Sequence, residues 1–441
     1  MAHLGQQYLP LDWEHLEEAP DLDRLRLVLE RLPDEGLMRL LESRRWGRPD
    51  GASVRVKWNC LLAQRVLGHR RMSELLRELR RNPTLRRVVG IGPGQGVRGV
   101  PDKDQMSRFW HKVVKSHAAA VEALLVGAQA KLAEELPDLG VQAGVDSTAL
   151  RTWARGRRDP KRSADPEADW GKKSRRWTDR EGKEHEEVSK WFGYKGHFLV
   201  DTRYELPLAW QITRASRPDN EPVLDLVGKF HQAHSGRLRV ETLSADKAYD
   251  DGELVKQLWS EQQVRAVFDL RDSAQDGEDG ERLAPGDNIV LGDDGQVYCY
   301  AGSASHLVRQ AMVPWGFEAK RGTQKYRCPA AVAGLTCAQR GLCGKGRYGR
   351  VVRVKNHRDW RRFGTVARGT KKWRRLYRAR TANERVNARV KEGMGLDDPS
   401  VRGRAKMQMT VNLAVLALYG LALGHLRRKA KAWRSYTRLA E

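Results

Sequence analysis

The sequence lacks the features that would direct the protein out of the cytosol. Residues 1–30 are acidic and polar and contain no apolar segment of a secretory signal. The best membrane candidate, VNLAVLALYGLAL at 411–423, is shorter than the roughly 20 residues that a spanning helix needs, and it contains Asn412. We therefore expect a cytoplasmic protein without a membrane partner, in which 411–423 forms a buried core helix.

Cysteine is scarce. Five cysteines in 441 residues, without a secretory signal, argue against a disulfide framework. Four of them follow the spacing C-x28-C-x8-C-x5-C: Cys299, Cys328, Cys337 and Cys343. The close C-x2–4-C pairs of common zinc modules are missing, yet the surrounding segment has few large apolar residues, so a metal would stabilise it. Two interpretations stay open, a structural zinc site or free and packed thiols.

Acidic residues are too few to balance the basic ones. The chain has 81 Lys and Arg against 56 Asp and Glu, which gives a formal net charge of +25. Such an excess attracts polyanions without regard to their sequence. Nucleic acid is the expected partner, and a merely soluble basic protein is the alternative.

Hydrophobic spacing and composition divide the chain into four regions. Residues 1–138 carry apolar residues at helical spacing with Arg and Lys on the other faces, which predicts a helical DNA-binding domain or an ordinary bundle with solvated arginines. Residues 139–274 alternate strands and helices and form the first part of an α/β core. Residues 275–365 are predicted to be a small β-rich insertion. Residues 366–441 contain the second part of the core and the C-terminal helices.

The α/β region predicts the order β-β-β-α-β-α-β. Its first strand ends at Asp146, and its fourth ends near Asp246. The polar stretch from Arg151 to about Lys190 is expected to be a mobile surface loop. In open α/β sheets, functional sites gather at strand ends.

Three carboxylates stand out by position. Asp146 lies in GVDST, Asp246 lies in SADKAYD, and Glu384 lies on a later helix. Carboxylate oxygens are ligands for Mg²⁺, and a pair of such ions can activate a nucleophile and stabilise a leaving 3′ oxygen. Each Asp could instead cap a turn or helix, and Asp250 and Asp251 are alternatives for the second position.

A helix predicted over 371–392 adds a second motif. Tyr377, Arg380, Glu384 and Lys391 fall within a stripe of roughly 60° at about 100° per residue. A carboxylate that binds metal, flanked by cations that bind phosphates, would suit a phosphodiester substrate. The alternative is a basic surface helix with a chance alignment.

These motifs resemble those of bacterial insertion-sequence transposases with a DDE catalytic domain of RNase H-like fold. Tyr377, Arg380, Glu384 and Lys391 match the family signature Y-x2-R-x3-E-x6-K, while GVDSTAL and SADKAYD are similar to the segments that carry the two catalytic aspartates. FGYKGHFLVD and the segments LLRELRRNPTLRRVVGI and VPDKDQMSRFW are also similar to family regions, so the resemblance covers most of the chain.

The resemblance implies cut-and-paste transposition of double-stranded DNA. It assigns Asp146, Asp246 and Glu384 as ligands of Mg²⁺ or Mn²⁺, with two ions expected. It assigns Tyr377, Arg380 and Lys391 to binding of the terminal DNA. It also implies a homodimer that pairs two transposon ends, in a bacterial cytoplasm and on the nucleoid when bound to DNA.

Four hypotheses remain at this stage. The complete acidic trio and the signature favour an active transposase over a DNA-binding relative that has lost catalysis. The helical N-terminal region and the insertion speak against another RNase H-like nuclease. A basic RNA-binding structural protein would leave the acidic strand ends unexplained.

Overall fold

The computed structural model describes residues 20–43, 52–179, 181–271, 280–303, 306–343, 346 and 348–427. Residues 1–19, in which no secretory signal is predicted, lie outside the described residues. The chain forms two compact units. The helical unit comprises 1–135, 150–167 and 388–441, and the sheet unit comprises 136–149 and 168–387. This grouping differs from the predicted boundaries, because the C-terminal helix belongs with the N-terminal helices.

The helical unit begins with a series of short helices. They are α1 (Pro20–Arg31), α2 (Glu35–Ser43), α3 (Val54–Val66), α4 (Met72–Arg81), α5 (Pro83–Val88), α6 (Lys103–Ser116) and α7 (Ala118–Glu135). Side chains cap several of them: the Ser53 hydroxyl accepts from Val56 N at 3.1 Å, and Asp102 accepts from Gln105 N at 2.7 Å. The helical N-terminal region agrees with the prediction.

A long apolar helix, α14 (Arg404–Arg427), forms the core of this unit. It packs against α1, α3 and α7. Residues Arg404–Leu426 are long and apolar enough to cross a membrane, but 89% of their most apolar window is buried inside the described structure. Burial of this kind is typical of a core helix and agrees with the expectation for 411–423.

The sheet unit is built on a mixed sheet. Its strands are β1 (Gln142–Arg151), β2 (Asp169–Thr178), β3 (Glu184–Asp201), β4 (Leu206–Arg214), β5 (Thr242–Ala245) and β6 (Arg265–Phe268), with helices α8 (Val223–Ala233) and α9 (Gly252–Gln262). The strand order is β2-β3-β1-β5-β6, and β4 pairs with the second half of β3. β1, β5 and β6 are parallel, so their carboxyl ends share one edge.

The polar stretch 151–190 is not the surface loop that the sequence predicts. It contains β2, which pairs along its whole length with the first half of β3. Cross-strand aromatic pairs stabilise this ribbon: the ring centroids are 5.5 Å apart for Trp170 and Phe192, and 5.4 Å apart for Trp177 and His185. Because the stretch is rich in charged residues, its composition does not indicate these aromatic pairs.

The predicted β-rich insertion contains two small antiparallel sheets. The first has the order β10-β9-β8-β7, and the second has the order β11-β12-β13. The strands are β7 (Glu281–Arg282), β8 (Ile289–Leu291), β9 (Val297–Ser303), β10 (His306–Ala311), β11 (Val313–Glu318), β12 (Thr323–Arg327) and β13 (Val351–Lys355). Both sheets share one apolar cluster, which includes Ile289, Tyr326 and Phe363. The insertion therefore has more of a core than its composition suggests.

The single helix predicted over 371–392 is wrong. The segment divides into α12 (Lys371–Arg378), α13 (Thr381–Ala388) and a π-helical turn at Arg389–Gly393. At the first break the Thr381 hydroxyl donates to the Arg378 carbonyl at 3.2 Å, a local bond that competes with the regular helix ladder. One stripe along a continuous helix therefore does not describe the four signature residues.

Candidate active site

The sheet register brings two of the predicted carboxylates to one edge. Gln142 pairs with Thr242 and Gly144 with Ser244 across β1 and β5. Continuing this register by two residues sets Asp146 beside Asp246. Asp246 directly follows β5, but β1 runs on past Asp146 to Arg151, so the predicted end of the first strand at Asp146 is wrong. The pair therefore lies at the carboxyl end of β5. This is where α/β sheets gather functional side chains.

The charges at this edge repel one another. Burial raises the pKa of Asp146 to about 6; the Ser147 N–H, which donates to Asp146 Oδ1 at 2.8 Å, opposes the shift, and the charge of Asp246 adds to it. Burial also raises the pKa of the Tyr249 hydroxyl well above its ordinary value, with further contributions from Asp146, Asp219 and Asp246. The three aspartates therefore share one negative field.

Asp219 is the member of this cluster that sequence reasoning missed. It lies between β4 and α8, and its Oδ1 accepts from Lys195 Nζ at 2.9 Å. Because Lys195 partly neutralises it, Asp219 differs from the other two aspartates. No spacing in the sequence connects this turn residue with Asp146.

Two asparagines connect α13 with the strand that carries Asp146. Asn383 packs against Gly144, where a Cβ would collide with the Asn383 side chain. One turn further, Asn387 Nδ2 donates to Asp146 Oδ2 at 3.0 Å. Asn387 Oδ1 is buried and has no hydrogen-bond partner among the described residues. Asparagine is a poor helix former, and its repetition four residues apart around Glu384 was an available signal.

The signature residues are distributed over three short elements. Tyr377 OH donates to Asp269 Oδ2 at 3.1 Å, and the Arg380 guanidinium lies 5.3 Å from the Tyr377 ring centroid. Glu384 is 57% exposed and accepts from Arg380 Nη1 at 2.9 Å. Lys391 belongs to the helical unit and pairs with Asp397 Oδ1 at 3.0 Å.

The alternatives for the second aspartate have other partners. Asp250 Oδ2 accepts from Arg271 N at 3.0 Å and lies 3.5 Å from Arg361 Nη1. Asp251 caps α9 by accepting from Glu253 N and Leu254 N. Asp246 Oδ1 accepts from Ala248 N at 2.8 Å, which orients its carboxylate at the strand end.

A comparison with known families matches most of the sheet unit. The family described as transposase DDE domain matches residues 145–419, which is more than half of the chain and includes Asp146, Asp246, the insertion and α13. The chain belongs to the transposase DDE family. A comparison of this transposase with curated proteins found no match.

The carboxylates of the transposase are not assembled into a finished metal site. Within the described ranges, no three His, Cys, Asp or Glu side chains form a group that could hold a metal ion. Asp146 and Asp246 are brought together, whereas Glu384 is engaged with Arg380. The four insertion cysteines line one cavity of the sheet unit.

Proposed function

We propose that the protein catalyses metal-dependent strand cleavage and strand transfer of an insertion sequence, with Asp146, Asp246 and Glu384 as the catalytic carboxylates. The observation that carries the proposal is that Asp146 on β1 lies beside Asp246, which follows the parallel strand β5; burial raises the pKa of Asp146 to about 6, and the charge of Asp246 adds to the shift. Nothing in a purely structural role requires two facing carboxylates.

The donor set at this edge fits a hard divalent cation. Two carboxylates and the unpartnered Asn387 Oδ1 are oxygen ligands of the kind that Mg²⁺ and Mn²⁺ take. Two such ions would activate a water or a 3′-OH and stabilise the leaving oxygen. Asp146 and Asp246 would bind them, and Asn387 would orient Asp146.

Glu384 would complete the site by exchanging its partner. Its ion pair with Arg380 is exposed and therefore weak, worth about 0.3–0.5 kcal/mol for an i,i+4 pair. A DNA phosphate offers Arg380 a competing anion, and release of Arg380 would leave the Glu384 carboxylate available. We assign Tyr377, Arg380 and Lys391 to the terminal DNA.

The strand arrangement supports an RNase H-like core. The second half of β3 lies between β4 and β1, and β5 and β6 follow in parallel, so the order is β4-β3-β1-β5-β6 with β2 as an added strand. We further propose that two copies pair two transposon ends, each copy contributing its helical unit to duplex DNA.

The test is cleavage of a DNA fragment that carries the element's own ends, with Mg²⁺ or Mn²⁺. We expect wild type to cleave, while Asp146→Asn and Asp246→Asn bind the DNA but lose cleavage by at least about 100-fold, because loss of a ligand exceeds the 10–100-fold cost of losing an outer partner. Asp251→Asn, which alters a helix cap and a hydrogen bond accepted from Asn220 Nδ2, is the matched control and should cleave.

The outcomes separate the alternatives. If Asp251→Asn loses cleavage and Asp246→Asn keeps it, the second catalytic aspartate is Asp251 and not Asp246. Tight binding without cleavage by any variant, wild type included, would favour a DNA-binding relative that no longer catalyses.

A further inference from the structure

Four of the five cysteines converge on one cavity of the insertion. Cys299 lies on β9, Cys328 precedes α10 (Pro329–Ala333), Cys337 follows it, and Cys343 ends α11 (Arg340–Cys343). All four line the same cavity, although 44 residues separate the first from the last. Convergence over this distance in the chain is not expected of unrelated packing residues.

The thiols affect one another electrostatically. Burial raises the pKa of the Cys299 thiol to about 11, and the charges of Cys328, Cys343 and Cys337 raise it further. Asn288 Nδ2 also donates to Cys343 Sγ at 3.2 Å. The four sulfur atoms therefore lie within electrostatic range of one another.

The fifth cysteine shows what a packing thiol looks like in this protein. Cys60 on α3 is fully buried, and burial raises its pKa to about 12. Cys328, Cys337 and Cys343 are only partly buried. Half-exposed thiols that face one cavity contribute little to apolar packing, so these three cysteines differ from Cys60, while the buried Cys299 lines the same cavity.

The segment that carries three of the thiols has little else to stabilise it. α10 and α11 have five and four residues, too few to be stable by themselves. Apolar side chains here point outward: Leu335 is 66% exposed and Val332 is 41% exposed. At Gly349, whose φ is +62°, a Cβ would collide with Cys328, so the chain returns close against the thiol.

We propose that Cys299, Cys328, Cys337 and Cys343 bind one structural zinc ion that fastens the α10–α11 segment to the sheet of β9. Four sulfur ligands without an open position are the set that structural zinc prefers. As described, the thiols do not yet form a group that could hold a metal ion. Closure around zinc is therefore coupled to ordering of the segment.

The first experiment measures zinc per chain by elemental mass spectrometry on the full-length protein, purified under reducing conditions from zinc-containing medium. We expect about one zinc in wild type and in the matched control Cys60→Ala. We expect at least a tenfold loss in Cys328→Ser and in Cys337→Ser. Equal zinc in all four proteins, or none in wild type after titration with Zn²⁺, would overturn the proposal.

A second measurement does not depend on the variants folding. A zinc chelator should accelerate proteolysis of wild type within 328–349, and Zn²⁺ but not Mg²⁺ should restore protection. Unchanged cleavage in this segment would contradict a structural ion. An intact mass that lacks two hydrogens without reductant, together with no zinc, would instead identify a disulfide. Neither readout requires DNA cleavage, so failure here leaves the proposed transposition untouched.

Discussion

The two aspartates of the sheet and the signature residues differ in how their charges are balanced. Asp146 and Asp246 lie on adjacent strands, and the charge of Asp246 adds to the burial that raises the pKa of Asp146. Each signature side chain instead has a partner within its own unit: Tyr377 with Asp269, Arg380 with Glu384, and Lys391 with Asp397. One region has excess charge, and the other has its charges satisfied.

The difference has a physical cause. Sheet register fixes the backbone positions of the two aspartates, so their charges stay close together and a cation or a proton would relieve the repulsion. The signature side chains are long and lie on or next to short helical segments. They can therefore pair with residues of the protein until a DNA phosphate competes for them. Under the proposed function, the sheet would provide a preorganised site, and the helices would provide groups that exchange partners when DNA binds.

Glu384→Gln is expected to have the largest effect on DNA cleavage among the variants of the signature residues. We expect DNA cleavage to fall by at least about 100-fold while DNA binding is retained or strengthened, because Arg380 loses its internal anion. Cleavage and binding are measured side by side on the same end fragment. Glu392→Gln, an exposed carboxylate on the neighbouring π-helical turn, is the control. If Glu392→Gln and Glu384→Gln cleave DNA equally well, Glu384 is not a metal ligand, and the proposed exchange of partners between Arg380 and Glu384 is wrong.

Asp146→Asn should give a smaller effect that depends on pH. The pKa of Asp146 is raised from 3.8 to about 6, so the folded state binds the extra proton between these values. Its contribution to stability is therefore lost as pH rises from about 4 to 6 and stays lost above 6, a change of about 2–3 kcal/mol. The introduced amide can bond to Asn387 Oδ1, which has no partner among the described residues.

The measurement is the free energy of unfolding of wild type and Asp146→Asn at pH 4 and pH 7, with chelator present. Only the difference isolates Asp146, because wild type also contains Asp201, whose pKa burial raises to about 6, and His197, whose pKa burial lowers to about 4. We expect the variant to gain on wild type as pH rises. Added Mg²⁺ should stabilise wild type alone at pH 7. If the difference in unfolding free energy between wild type and Asp146→Asn does not change with pH, the raised pKa of Asp146 is wrong. Asp225→Asn, at an exposed position, is the control for loss of a formal charge.

The same contrast explains what could be predicted from the sequence. Asp246 was accessible because a strand followed by an acidic residue is a local pattern. Asp146 was identified from the same pattern, although β1 continues past it to Arg151, and parallel pairing of β1 with β5 places it beside Asp246. The ribbon of β2 and β3 could not be predicted because cross-strand pairs such as Trp177 with His185 stabilise it. The many charged residues of this stretch give no indication of those pairs. Asp219 and Asn387 reach the site only through tertiary packing.

Lys391→Ala is expected to have the smallest effect of these variants, and it tests whether this signature residue contacts DNA. Its ion pair with Asp397 is largely exposed and worth at most about 1 kcal/mol, so a phosphate can replace the carboxylate. If Lys391 contacts one phosphate, Lys391→Ala should lower the salt dependence of end binding by about 0.9 in log–log slope. Asp397→Asn keeps Lys391 but removes its partner, so the slope should persist while affinity rises up to about fivefold. An unchanged slope in Lys391→Ala would mean that the pair with Asp397 is a structural contact. The signature would then exchange partners only at Arg380.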